Sequence, residues 1–161
     1  MLIVLEGCDG SGKSTLAELL KYLAHDPEEV EVIHATRETP NTREWFEKIM
    51  DDAKHRNIVM DRAFWGQFVY QKPEERHMGF SDLSALENRL QAEGGKLIYV
   101  YSPERVISRR LRKRGEITSL PIRSLLRKYK NMCTYARCPV IWYNSHTGMS
   151  KIFEDYRRNK K

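Results

Sequence analysis

"LEGCDGSGKST", residues 5–15, carries three glycines in a short run and leads into Leu16, Leu19, Leu20 and Leu23. Gly7-Cys8-Asp9-Gly10-Ser11-Gly12-Lys13-Ser14 fits G-x-x-x-x-G-K-[ST] at every fixed position. Gly7, Gly10 and Gly12 permit a tight path, partly at positive φ, that turns successive backbone N–H groups inward around an anion. The apolar run "LIVLEG" before the loop reads as a buried parallel strand. The leucines after it recur at i, i+3, i+4, i+7, the spacing of one helix face. A strand, a glycine loop and a helix N-terminus together make a phosphate trap. Within it Lys13 reaches the β- and γ-phosphates of a nucleotide, Ser14 offers a hydroxyl to Mg²⁺, and Thr15 follows directly.

Working outward, strands and helices alternate. "VEVIHAT", "NIVMD", "KLIYVYS" and "PVIWYN" read as four further strands. Between them fall helices carrying Trp45, Phe46, Ile49 and Met50; Trp65–Tyr70; Leu83, Leu86 and Leu90; and residues from Ser102 and from about 120 to 136, with a terminal helix after the fifth strand. Asn41 followed by Glu44 has capping-box spacing, and Ser81 reads as a helix cap. The alternation predicts a three-layer α/β/α domain over residues 1–161 with a five-stranded parallel sheet. In such a sheet ligands collect beyond the carboxyl ends of the strands. Asp9, Arg37, Asp61 and Ser102 all fall at or just after those ends.

Composition sets the class. At 161 residues, 40% hydrophobic and 31% charged, the chain suits one globular domain with a single sizeable core. No apolar run approaches the roughly 20 residues of a membrane span. The opening strand leaves no room for a signal peptide, and Cys8, Cys133 and Cys138 lack zinc-ligand spacing, so a reducing, cytoplasmic setting is expected. Net charge is +6, yet residues 105–130 hold ten Lys/Arg against Glu116 alone, a local +9 over a remainder of −3. Such a patch favours a polyanion, either nucleotide phosphates or a nucleic-acid backbone.

Beyond the loop the chain resembles the thymidylate kinase family, in motif order along nearly its whole length. The resemblance rests on "LEGCDGSGKST", on "ATRETP" with Thr39 inserted, on "MDRAFWGQFVYQ" and on "YSPERVISRRLRKRGE". It implies ATP as phosphoryl donor with Mg²⁺, and a deoxynucleoside monophosphate, thymidylate or a related pyrimidine nucleotide, as acceptor. Asp9 would then hold the acceptor sugar, although a turn residue bonding its own backbone fits Asp9 equally. Arg37 would clamp the acceptor phosphate with its planar guanidinium. Asp61 would act on the metal, Arg62 would neutralise the transferring group, and Tyr70 and Gln71 would lie near the acceptor sugar and base. Trp45, Phe46, Trp65 and Phe68 are candidates to stack on that base, against a core role that their helical spacing fits as well.

Ser11 between two glycines leaves the loop without an arginine of its own, so the arginine-rich lid, about 105–118, is expected to supply one. Arg110 and Arg114 share one helix face, and Arg109, Arg112 and Lys113 another. The chain departs from the family where the base is chosen: about one helix separates "TRETP" from Asp61, with Trp45 and Arg56 as substitutes, and the lid reads "GEITSLP". So trimmed a form points to a phage or other compact genome. The alternative acceptor is a hydroxyl of a deoxynucleoside or of DNA, with Asp61 as general base and the basic segment tracking a phosphate backbone. A homodimer is left open.

Overall fold

Strand β1 (Leu2–Glu6) is the centre of the molecule, pairing in parallel with β3 (Asn57–Asp61) on one side and β4 (Lys96–Tyr101) on the other. A computed structural model describes residues 1–36 and 38–148. Strand β2 (Val30–His34) pairs with β3, and β5 (Val140–Asn144) with β4, giving a five-stranded, all-parallel sheet in the order β2-β3-β1-β4-β5. The helices are α1 (Lys13–Leu23), α2 (Arg43–Asp52), α3 (Trp65–Tyr70), α4 (Phe80–Ala92), α5 (Glu104–Arg114) and α6 (Ile122–Tyr135). The expected three-layer α/β architecture is therefore the observed one. The expected terminal helix and Arg37 lie outside the described residues.

Side chains of successive strand residues point to opposite faces, and the sheet fills two cores accordingly. Val4, Ile58, Met60, Leu97 and Tyr99 pack with Phe46, Phe64, Trp65 and Leu86 on one face. Leu5, Val59 and Val100 pack with Leu16 and Ala17 of α1 on the other. Burial of each large apolar side chain contributes roughly 1.5–3 kcal/mol, and both faces of β1 are sealed. The chain steps from β1 past β3 to β2, then from β3 across β1 to β4. Strand order therefore reverses beside β1, and the crevice beyond its carboxyl end is where ligands collect.

Two caps differ from the sequence reading. Thr42, not Asn41, caps α2, its Oγ1 accepting from Trp45 N at 3.3 Å. Asn41 instead sits at φ 51, and its amide donates to Thr36 O at 2.6 Å and Thr39 O at 3.0 Å. The inserted Thr39 joins that knot through a 2.8 Å bond to Thr36 O. Helix α4 starts at Phe80, one residue before Ser81, with Gly79 N donating to Asp82 Oδ2 at 3.0 Å.

Candidate active site

Beyond β1 the glycines take the path their lack of Cβ allows: φ is 150 at Gly7, 77 at Gly10 and 102 at Gly12. A Cβ on Gly7 would come within 2.2 Å of Val100 O, and one on Gly12 within 2.9 Å of Ser145 Oγ. The loop is pressed between the ends of β4 and β5 and tolerates no side chain at either point. Lys13 is buried and its ammonium donates to Gly7 O at 2.7 Å and Cys8 O at 3.0 Å. Burial, with Arg62 next in weight, pulls its pKa down, so the ammonium is poised to gain from an incoming anion. Ser14 Oγ donates to Asp61 Oδ2 at 2.5 Å, and His34 Nδ1 lies 3.1 Å from the same oxygen.

Two cavities meet at this loop. One, of about 430 Å³, is lined by Gly10, Gly12, Lys13, Ser14, Thr15, Arg110, Lys113 and Arg114. The second, of about 560 Å³, is lined by Thr36, Asn41, Gly66, Gln67, Tyr70 and Gln71, with Ile117 and Ser119 reaching in from beyond α5. Asp9 and Arg62 line both, and their side chains form an ion pair. Arg62 holds a left-handed backbone, φ 71, which a non-glycine residue adopts only where its surroundings impose it. Those surroundings are visible: Arg62 N donates to Leu5 O at 3.0 Å, while Ala63 N and Trp65 N donate to Glu6 Oε1 at 3.2 and 2.8 Å. Glu6 is wholly buried, and that burial pushes its carboxyl up to about 7 against the pull of the Trp65 N–H and Lys13.

Most of the expected residues converge here. Gly7, Asp9, Gly10, Ser11, Gly12, Lys13, Ser14 and Thr15 form or follow the loop, with Asp61 and Arg62 facing it. Tyr70 lines the second cavity and its hydroxyl accepts from Asp9 N at 3.1 Å; Gln71 lines the same wall. Trp65 is a correction. It is 0% exposed in the core, its indole N–H donating to Glu87 Oε1 at 2.7 Å, so it has no face to offer a base. Phe46 and Phe68 are likewise buried core, and Trp45 packs edge-on against Phe46 away from both cavities. Arg56 pairs with Glu31 at 2.6 Å and Asp52 at 3.0 Å on the surface and does not substitute in base binding.

In the lid, Arg110 turns one guanidinium nitrogen onto loop carbonyls, at 3.1 Å from Gly10 O and 3.2 Å from Ser11 O. Arg114 pairs with Glu116 at 3.1 Å on the cavity rim. Lys113 faces the same cavity as both, three residues on from Arg110, where the sequence reading had put it on the other face. Sequence reasoning also passed over Glu6, which looked like an ordinary strand end, and Gln67, whose amide bridges Asn41 O at 2.6 Å and His77 N at 2.8 Å. The tight grouping of Glu6 with the glycine loop was the one signal that could have marked it.

No protein-family model matches the chain. The SPbeta prophage-derived uncharacterized protein YorR of Bacillus subtilis (strain 168) is 30% identical over 143 residues, spanning 84% of this chain and 83% of YorR. The chain belongs to the YorR family. A crystal structure of YorR from B. subtilis in complex with phosphorylated GDP superposes with a TM-score of 0.74, at 24% identity over 100% of this chain and 99% of that one. Deoxyadenosine kinase of M. mycoides with bound dATP gives a TM-score of 0.58 at 17% identity, over 98% and 100% of the two chains. The YorR fold is thus that of P-loop nucleotide kinases. A thymidylate kinase of Campylobacter hominis is 28% identical over 82% of this chain and 84% of its own length. The expected likeness to thymidylate kinases is therefore weaker than the likeness to YorR. Among the described residues, no helix is long and apolar enough to cross a membrane.

Proposed function

We propose that this YorR-family chain is a nucleotide kinase that moves the γ-phosphoryl group of ATP onto a deoxynucleoside monophosphate. One observation carries the reading: the loop cavity and the second cavity share Asp9 and Arg62 as a common wall. A nucleotide-dependent switch needs one pocket; a kinase needs two side by side, with cationic groups at the junction. The second cavity, about 560 Å³, suits one nucleotide rather than a DNA strand. Nucleotides in the YorR and deoxyadenosine kinase structures, phosphorylated GDP and dATP, support the ligand class.

Phosphoryl transfer is catalysed chiefly by positioning and charge neutralisation. In this reading the loop amides and Lys13 hold the donor phosphates. Arg62, fixed in its left-handed turn at the junction, leaves Asp9 to neutralise the group in transit, and Asp9 turns to the acceptor sugar. Tyr70 and Gln71 contact the acceptor, and Arg37 clamps its phosphate. Arg110, Lys113 and Arg114, all on α5, form a lid that adds positive charge over the donor. Mg²⁺ fits the oxygens present: Asp61 has a buried Oδ1 without a hydrogen-bond partner among the described residues, and Ser14 offers a hydroxyl beside it. Ser14 and Asp61 would hold the ion, which supplies charge neutralisation on the phosphate oxygens. Among the described residues no cluster of three or more acidic, His or Cys side chains is placed to hold a metal, so the ion would take its remaining oxygens from phosphate and water.

The test is ATP consumption measured against all deoxynucleosides, their monophosphates and a short DNA. Turnover with a monophosphate supports the reading. Turnover confined to nucleosides or DNA moves the acceptor assignment, and ATP binding with no product for any acceptor refutes a kinase.

A further inference from the structure

Four oxygens converge on one nitrogen of the lid. Arg110 Nη1 lies 3.1 Å from Gly10 O, 3.2 Å from Ser11 O, 3.3 Å from Ser102 Oγ and 3.0 Å from Ser145 Oγ. The Ser145 hydroxyl is also hydrogen-bonded to Ser11 O and lies 2.7 Å from Ser102 Oγ. Its backbone N–H donates to Tyr101 O at 2.9 Å. Ser11, Ser102 and Ser145 are all buried. One small side chain thus joins the phosphate loop, the ends of β4 and β5, and helix α5.

The chemistry of this joint concerns direction. In a planar trans peptide the C=O and the next N–H point opposite ways. Two donors, Arg110 and Ser145, fix the Ser11 carbonyl on the outer side of the loop, and the N–H of Gly12 is thereby aimed the other way. Gly12 lines the donor cavity, and a Cβ there would collide with Ser145 Oγ at 2.9 Å, so the two residues are in direct register. Arg110 is held by carbonyls and hydroxyls, so these contacts place its charge without cancelling it.

We propose that Ser145 is a positioning residue for the donor phosphates, acting through Arg110 and the Ser11 carbonyl to aim the loop's amide at the anion. This rests on the reading of the loop as the ATP site. It assigns Arg110 a bracing role beside its charge, and leaves Lys113 and Arg114 as the lid cations free of the loop.

The experiment is calorimetric titration of ATP with excess Mg²⁺ into the wild-type chain, S145A, R110A and the double variant at 15 °C, with thermal melts and acceptor KM measured alongside. S145A should weaken ATP binding about 10-fold, the loss of one charge-assisted hydrogen bond, with acceptor KM unchanged. The double variant should lose less than the product of the two single losses, because both residues act in one joint. A purely structural serine would lower the melting temperature and leave ATP affinity at 15 °C intact; that result, or independent losses that multiply, overturns the proposal. Should S145A fail to fold, Ser145→Cys keeps the volume with a poor donor and is expected to show the same loss. Absence of ATP binding by the wild type sinks the donor-site reading itself, and this one with it.

Discussion

Replacing Glu6 by Gln perturbs one buried proton and leaves the fold's contacts in place. Burial holds the carboxyl at about 7 in the folded chain, against 4.5 for a free side chain. Between those values the folded chain keeps a proton that the unfolded chain has released. Below about pH 4.5 both states are protonated and nothing is lost. As pH rises through the window the unfolded state is favoured, and above about 7 the loss is complete and flat. At about 1.4 kcal/mol per pH unit, the gap from 4.5 to about 7 amounts to about 3 kcal/mol. Glu6→Gln retains a carbonyl oxygen for Ala63 N and Trp65 N and has no charge to bury. The variant should match the wild type near pH 4.5 and exceed it by about 3 kcal/mol at pH 8. Urea unfolding followed by tryptophan fluorescence at pH 5, 6, 7 and 8 measures the difference. Surface carboxylates such as Asp51, held down by Lys54 and Arg89, titrate alike in both proteins and cancel. A stability difference that stays constant from pH 5 to 8 refutes the argument.

Lys13→Ala should abolish turnover, by 10³-fold or more on the scale of a lost phosphate cation, while circular dichroism stays native; retained activity removes the loop from the mechanism. Arg62→Ala should cut kcat by about 10²–10³-fold, and a change confined to KM would show that Arg62 only binds. Arg37→Ala should chiefly raise KM for a monophosphate acceptor, and an unaltered KM means the acceptor carries no phosphate at that point. Trp65→Phe leaves Glu87 without its indole donor and should cost about 1–3 kcal/mol in urea unfolding, with kcat untouched because Trp65 lies in the core.

The sheet and its helices were legible because their signals are local. Leu16 and Leu19 report a helix face by spacing alone, and "NIVMD" reports a buried strand by its apolar run. The loop's path was legible for a different reason: the positive φ found at Gly10 and Gly12 is one that glycine adopts without strain, and the sequence puts glycine at both positions. Trp65 was not, since a six-residue helix beside a polar dipeptide has no spacing that separates a ring facing ligand from one facing Glu87, 22 positions on. Arg110 was half legible. Its helix face was readable, but the partners that fix it, Ser102 and Ser145, come together only when β4 and β5 pair. The role of Glu6 depends on the turn at Arg62, which no propensity predicts for an arginine. Thr39 looked like an insertion that disturbs a motif, and in the folded chain it ties the loop between β2 and α2.

Gly66 lines the second cavity, and a Cβ built there meets nothing within 4 Å. On the proposed reading the wall facing the acceptor therefore has an unfilled notch, away from Lys13, which lines only the first cavity. Larger residues at this one position would narrow the acceptor chamber without altering how the donor is gripped. If the second cavity takes the acceptor as proposed, choice of substrate and power of transfer are separately adjustable in this scaffold. A small change at residue 66 is then a short evolutionary route from one acceptor to another.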